Sequence, residues 1–218
     1  MVDDPSHKDW WDKLTLHGIQ KGVVKVVNNG PAWNVKGGGA FYEFSDGTSL
    51  KHSFFITCYH ILATSSITEI IKNVEFKSEF IPQLNSFHFI KEHLLGCWTN
   101  RTFDVTIIKL TTYGEKYVRD GGIEFIKIGK ANINSNIITV LQSIEGAFTF
   151  ANGKVLEIDF NKIKYCISTE VGINGSPIIN WDCAAISIFC NEKTNNLPQF
   201  QQFTFTLRDI INIYFDER

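Results

Sequence analysis

Three short segments carry the residue types from which nucleophilic acyl chemistry is built. Phe55-Ile56-Thr57-Cys58-Tyr59-His60-Ile61-Leu62 is an apolar, β-prone run reaching a histidine near its end. Thr102-Phe103-Asp104-Val105-Thr106-Ile107-Ile108-Lys109-Leu110 places an aspartate at the mouth of a second apolar run. Gly172-Ile173-Asn174-Gly175-Ser176-Pro177-Ile178-Ile179-Asn180 is a glycine-rich turn leading into a third. An imidazole base, a carboxylate that fixes its tautomer and a tight turn presenting backbone N–H groups are the parts that activate a nucleophile and stabilise an oxyanion. Singly, each segment has a plainer reading. A histidine after a strand is commonly structural, an aspartate at a strand start is a turn former, and a GxxGxP sequence is a bend.

These segments need a frame, and the composition says of what kind. Among 218 residues, Ile, Val and Thr number 56 and Ala, Leu and Met 21, with 18 Phe besides. An excess of β-branched and aromatic residues over strong helix formers predicts a mostly-β chain. The length suits one or two domains and buries a sizeable core. With a formal net charge of −2, the chain has no global basic field for nucleic acid or an anionic membrane. No apolar run approaches the roughly 18–20 residues that span a bilayer. Disorder, collagen and coiled coil are excluded on the same composition.

Strand-like runs recur between turn residues. Residues 22–27 stop at the breaker cluster Asn28-Asn29-Gly30-Pro31. Residues 38–44 lead through Ser45-Asp46-Gly47 into 53–58, the pattern of a hairpin. Further strands are expected at 74–76, 105–110, 124–128, 137–141, 154–158, 164–168, 177–180, 184–189 and 202–205. So many short strands suit a sandwich or a pair of barrels. Helix is expected to be scarce: a short piece at 67–74, and a C-terminal helix. There Thr206 and Asp209 form a capping-box-like start, and Leu207, Ile210, Ile211 and Tyr214 fall at i, i+3, i+4 and i+7.

The N-terminal stretch MVDDPSHKDWWDKL lacks the basic and apolar regions of a signal peptide. Cys58, Cys97, Cys166, Cys183 and Cys190 show no CxxC spacing. They are expected as reduced thiols in an intracellular setting, cytoplasm or nucleus. The sequons at Asn100 and Asn174 are then chance matches. His88 and His93 have no supporting cysteine or carboxylate pattern, so neither a metal nor a cofactor is expected.

In this order the three segments resemble the chymotrypsin-like (trypsin-like) peptidases, which carry Thr-Ala-Ala-His-like, Asp-Ile-Ala-Leu-like and Gly-x-Ser-Gly-x-Pro motifs. Val23-Val24-Lys25-Val26 and Gly37-Gly38-Gly39-Ala40-Phe41 look like the first strand and the GSGF-type second strand, and residues 182–189 like the strand flanking the specificity pocket. The resemblance covers about residues 20–218. It implies an all-β fold of two perpendicular antiparallel β-barrels with a C-terminal α-helix and a cleft between the barrels. The implied division is an arm at 1–20, a first barrel at 21–118, a second at 119–205 and the helix at 206–218. His60 would be the base, Asp104 the orienting carboxylate, and the N–H groups of Gly172 and Asn174 the oxyanion hole. Ser168, Ser187 and Phe189 would wall the substrate pocket. With no carboxylate at its floor, a neutral or apolar side chain is the expected guest.

The chain departs from the family at the nucleophile. Third in the Gly-x-Ser-Gly-x-Pro pattern stands Asn174, whose amide nitrogen is delocalised into its carbonyl. Ser176 follows two residues on and is expected on the other side of the turn. Three readings are open. The chain is a pseudoprotease that binds peptide or protein, or an inactive Ser-to-Asn variant of an endopeptidase, or an Asn-Gly site of slow self-chemistry. Loss of a nucleophile costs about 10⁶ in kcat in a protease of related mechanism. The expected partner is a peptide or protein, with no nucleic acid and no membrane. The Trp10-Trp11 arm is expected either to pack on its own domain, to plug the cleft or to dock a partner.

Overall fold

A computed structural model describes residues 5–30, 35–45, 47, 50–78, 80–81, 86–142, 148–167, 174–190 and 201–217. The chain enters through α1 (His7–Leu16) and a single turn α2 (Ile19–Gly22). Ser6 caps α1 in a capping box with Asp9, and this helix is not among the elements expected from the sequence. Trp10 is buried and meets Trp181 edge-on, ring centroids 4.7 Å apart, while Trp11 stacks at 6.1 Å on Phe150. The arm therefore packs on its own domain.

The first sheet is built from β1 (Val23–Asn28), β2 (Val35–Ser45), β3 (Lys51–Cys58), β4 (Val74–Lys77), β5 (Ser86–Phe87), β6 (Leu94–Asn100) and β7 (Val105–Leu110). Its order is β5-β4-β1-β2-β3-β7-β6, and β8 (Ile126–Lys127) joins β2 in parallel. The second sheet holds β9 (Asn136–Gln142), β10 (Phe148–Asp159), β11 (Lys162–Ile167), β12 (Pro177–Asn180), β13 (Ala185–Ile188) and β14 (Gln201–Phe205), in the order β13-β12-β9-β10-β11-β14. Both sheets are antiparallel apart from β8. The second is nearly closed: Ser187 Oγ donates to the Phe205 carbonyl at 2.5 Å and Thr204 Oγ1 to the Ile188 carbonyl at 3.0 Å. These bonds clasp the two end strands.

The predicted hairpin is β2–β3, with Ser45 opposite Lys51 and Ala40 opposite Ile56. From Ser53 to Cys58 every residue of β3 is buried, because the curled sheet is covered on both faces. Inside the curl, Phe41, Phe55, Phe76, Phe87 and Phe89 form a ring cluster with neighbouring centroids 4.9–6.2 Å apart. On the other face, Phe54 meets Tyr214 of α6 (Leu207–Asp216) at 5.7 Å. Thr206 caps α6, and Leu207, Ile210, Ile211 and Tyr214 are its buried stripe, as the spacing predicts.

Helix is less scarce than expected. Besides α3 (Tyr59–Leu62) and α4 (Ile67–Asn73), α5 (Thr112–Asp120) follows β7 and is capped by Thr111 Oγ1 accepting from Gly114 N. Its Tyr117 ring stacks on His93 at 4.2 Å. His93 Nδ1 accepts from Ile90 N at 3.3 Å, and His88 Nδ1 donates to the Val74 carbonyl at 2.9 Å. Both histidines are thus structural.

Burial pushes the His93 imidazole below its ordinary value, with Glu92 partly opposing. As pH falls, the unfolded chain therefore takes this proton first. The His93 contribution is fully present above about pH 6.5 and is lost as pH falls through that value toward the lower folded-state pKa. Urea unfolding at pH 7 and pH 5 is expected to show a fall in stability that is smaller in His93→Gln. An equal fall in both chains would show that His93 is not the group responsible.

Candidate active site

β3 delivers its last residue, Cys58, to the N-terminus of α3, so His60 lies in the first turn beyond the strand. The helix stops at once, at Ala63 with φ +52°. Its last carbonyls do not go unpaired: buried Asn28 donates from Nδ2 to the carbonyls of Ile61 and Leu62 at 3.1 and 3.0 Å. This ties the His60 turn to the end of β1.

Asp104 is set by a different device. Asn100 Oδ1 accepts from the N–H groups of Thr102 and Phe103 at 3.0 and 3.1 Å, curling the 101–104 turn. The turn ends in Asp104 itself at φ +47°, a left-handed conformation that aspartate tolerates better than most residues. Phe103 packs on Phe205 of β14 at 4.4 Å, which holds the turn to the second sheet. Arg101 Nε donates to the Tyr59 hydroxyl at 3.0 Å, on the His60 side of the same turn.

The carboxylate so placed grips His60 twice. Oδ2 accepts from ring Nδ1 at 2.7 Å and Oδ1 accepts from the His60 backbone N–H at 3.0 Å. The Tyr59 N–H donates to the Asp104 carbonyl at 3.0 Å. Ring plane, tautomer and backbone are thereby fixed together, leaving Nε2 as an acceptor on a half-exposed side chain. At Nε2 stands the carboxamide of Asn174, with Nδ2 at 3.3 Å. The bond runs from the amide N–H to the imidazole lone pair, as the Nδ1–H tautomer requires.

The turn bearing Asn174 is held from both sheets. Its carbonyl accepts from Gly38 N at 2.8 Å, Gly175 N donates to the Phe189 carbonyl at 2.7 Å, and Phe189 N donates to the Ser176 carbonyl at 2.7 Å. Gly175 sits at φ +87°, where a Cβ would lie 2.2 Å from the Gly38 carbonyl oxygen and 2.6 Å from Thr57 Oγ1. Gly38 is glycine for a related reason: its own Cβ would lie 2.3 Å from Ser176 Oγ. Ser176 is therefore buried beneath β2, while Asn174 is the residue at His60.

The fold brings His60, Asp104 and Asn174 together. Phe189 joins them through its backbone and buries its ring against Tyr165 at 6.2 Å. Ser187 is fully buried in the β13–β14 clasp. Gly172 and Ser168 lie outside the described residues. Three positioning residues carry no such signal along the chain: Asn28 reads only as part of a breaker cluster, Asn100 only as a sequon, and Gly38 only as part of a strand motif.

Among the described residues, Cys58, His60 and Asp104 offer three ligand atoms within 4.8 Å of one another. Nδ1 and the carboxylate already engage each other, and burial pushes the Cys58 thiol well up, away from the thiolate that a metal binds. The donor set fits a hydrogen-bonded pair and not a metal centre.

The sequence matches no protein-family model and no curated protein. Solved structures do match. The Rv3671c protease of M. tuberculosis in its active form superposes with a TM-score of 0.67 at 14% identity, over 96% of this chain and 86% of that one. An inactive form of the same protease gives 0.64 at 13% identity over 97% and 96%. The serine endoprotease from Yersinia pestis gives 0.64 at 13% identity over 98% of this chain and 67% of that one. At such identities the likeness establishes the fold, the chymotrypsin-like double β-barrel with a C-terminal helix. Among the described residues, no helix is long and apolar enough to cross a membrane.

Proposed function

We propose that this chain is a serine-protease homologue that holds a peptide or protein segment in the cleft at His60 and leaves it uncut. In this reading His60 occupies the base position, Asp104 that of the orienting carboxylate and Asn174 that of the nucleophile. The N–H groups of Gly172 and Asn174 are assigned to the oxyanion hole, and Ser168, Ser187 and Phe189 to the segments that wall the pocket. The observation that carries the reading is the carboxamide 3.3 Å from His60 Nε2, at the point where attack needs a hydroxyl. Taking a proton from that amide yields no usable nucleophile at neutral pH, so the base has nothing to activate.

A second reading is favoured by the intact grip of Asp104 on His60: an endopeptidase whose serine is replaced by Asn at 174. Both readings share one expectation for the chain as it stands. A fluorophosphonate probe is expected to label no serine. Anisotropy with extended peptides bearing neutral side chains is expected to show binding, with mass spectrometry finding the peptides intact. Labelling or cleavage abolished by His60→Ala would overturn the uncut-binder reading, and absence of peptide or protein affinity would remove its binding half.

A further inference from the structure

The sulfurs of Cys58 and Cys190 lie 2.9 Å apart. Cys58 ends β3 in the first sheet and Cys190 lies just beyond β13 in the second, so the pair bridges the sheets. Both are free thiols. A disulfide bond is about 2.05 Å long, so bonding needs only a small closing movement from the observed contact. The two sulfurs differ in access. Cys58 is fully buried, and that burial pushes its thiol well up. Cys190 is 5% exposed and lines a cavity of about 490 Å³ together with Asp104, Asp159, Lys162, Phe203 and Phe205. Water takes about 30 Å³ of liquid volume, so the cavity admits a small oxidant to Cys190.

We propose that Cys58 and Cys190 are a reversible oxidation site, closed to a disulfide by a peroxide that enters through this cavity. The Cys190 sulfur, giving up its proton, attacks one peroxide oxygen. The O–O bond breaks, leaving a sulfenic acid and releasing one water. The Cys58 sulfur then attacks the sulfenic sulfur, the S–O bond breaks, and its hydroxyl leaves with the Cys58 proton as a second water. Two thiols and one hydrogen peroxide become one disulfide and two waters. Each sulfur loses one electron, and the two peroxide oxygens gain them. Thiol–disulfide exchange with a dithiol reverses the step.

The location gives the bond its consequence. Cys58 is two residues before His60, and Cys190 Sγ lies 3.8 Å from the Asp104 carbonyl oxygen. Oxidation therefore ties the two sheets together directly behind the His60–Asp104 pair. It also closes a chain separation of 132 residues, and long loops confer the larger disulfide effects. The cavity shares Asp104 with the proposed peptide cleft, but the oxidation needs only the two sulfurs and the path to Cys190, so it does not rest on that reading.

The full native chain treated with equimolar hydrogen peroxide, then alkylated in denaturant, tests the proposal. Intact mass is expected to show three alkylated cysteines and a loss of two hydrogens. A non-reducing peptide map is expected to join the Cys58 and Cys190 peptides, and dithiothreitol to restore all five alkylations. The oxidised chain is expected to melt about 5 °C or more above the reduced one. In Cys190→Ser, Cys58 is expected to stay reduced. Five free thiols after an exposure that oxidises free cysteine would overturn the proposal. So would a cross-link between another pair, or Cys190 carried to the sulfinic acid with Cys58 untouched. The peptide map uses the unaltered chain, so it decides the matter even if Cys190→Ser fails to fold.

Discussion

Asn174→Ser is expected to make the cleft react with a fluorophosphonate, with the label on residue 174 and its appearance dependent on His60. A histidine and a carboxylate already face residue 174. Asp104 holds His60 through 2.7 and 3.0 Å bonds, and Nε2 points at residue 174. Serine is one bond shorter than asparagine, so its hydroxyl falls near the present Cγ. Closing on Nε2 then takes a small rotation of a histidine whose side chain is 45% exposed, which leaves room for it. The upper limit of the gain is the roughly 10⁶-fold that a nucleophile contributes in a protease of related mechanism. Asp104→Asn in the same background is expected to lower the labelling rate by about 10⁴-fold, because an amide at that position selects the wrong imidazole tautomer. Mass spectrometry of the labelled peptide makes the measurement. A folded Asn174→Ser chain that stays unlabelled would show that a serine at 174 does not by itself make a reactive site here.

Gly175→Ala is expected to cost about 3–5 kcal/mol of stability. Two costs combine. At φ +87° an alanine is strained in any surroundings, and its Cβ would stand 2.2 Å from the Gly38 carbonyl oxygen. That oxygen cannot retreat freely, since Thr57 Oγ1 donates to it at 2.7 Å and Gly38 N binds the Asn174 carbonyl at 2.8 Å. Gly47 separates the two costs: its φ is +91°, and a Cβ there would meet nothing within 4 Å. Gly47→Ala should therefore show the conformational cost alone, about 1 kcal/mol. Urea unfolding of both variants measures the difference. Equal losses would mean that the crowding at Gly38 is relieved by movement elsewhere.

Much of the frame is legible in the sequence because it repeats short-range rules. The 38–58 hairpin has its turn residues in place, and α6 has both its cap and its apolar stripe. What escapes depends on local exceptions. β6 carries Gly96 at a register shift and does not alternate cleanly, so no period-two signal stands out. α5 begins at a threonine cap directly after a β-branched run, and the run masks it. In the site, His60, Asp104 and Asn174 are recognisable because their motifs are local. Asn28 and Asn100 are not, because what they do depends on a partner turn whose position only the fold supplies. Ser176 and Gly38 show the same limit: the serine's burial follows from the close approach of β2, which no spacing along the chain expresses.

The site is also assembled from far along the chain. His60 meets Asp104 across 44 residues and Asn174 across 114. In kinetic terms, a nascent chain growing at about 5–20 residues per second makes the imidazole–carboxylate pair seconds before the turn that completes the cleft exists. Contacts of such high order close late in folding, after nearer strand pairs have formed. Synthesis halted between residues 104 and 174 would leave the histidine and aspartate without a second wall to face, so the cleft exists only once residue 174 has been made and folded in.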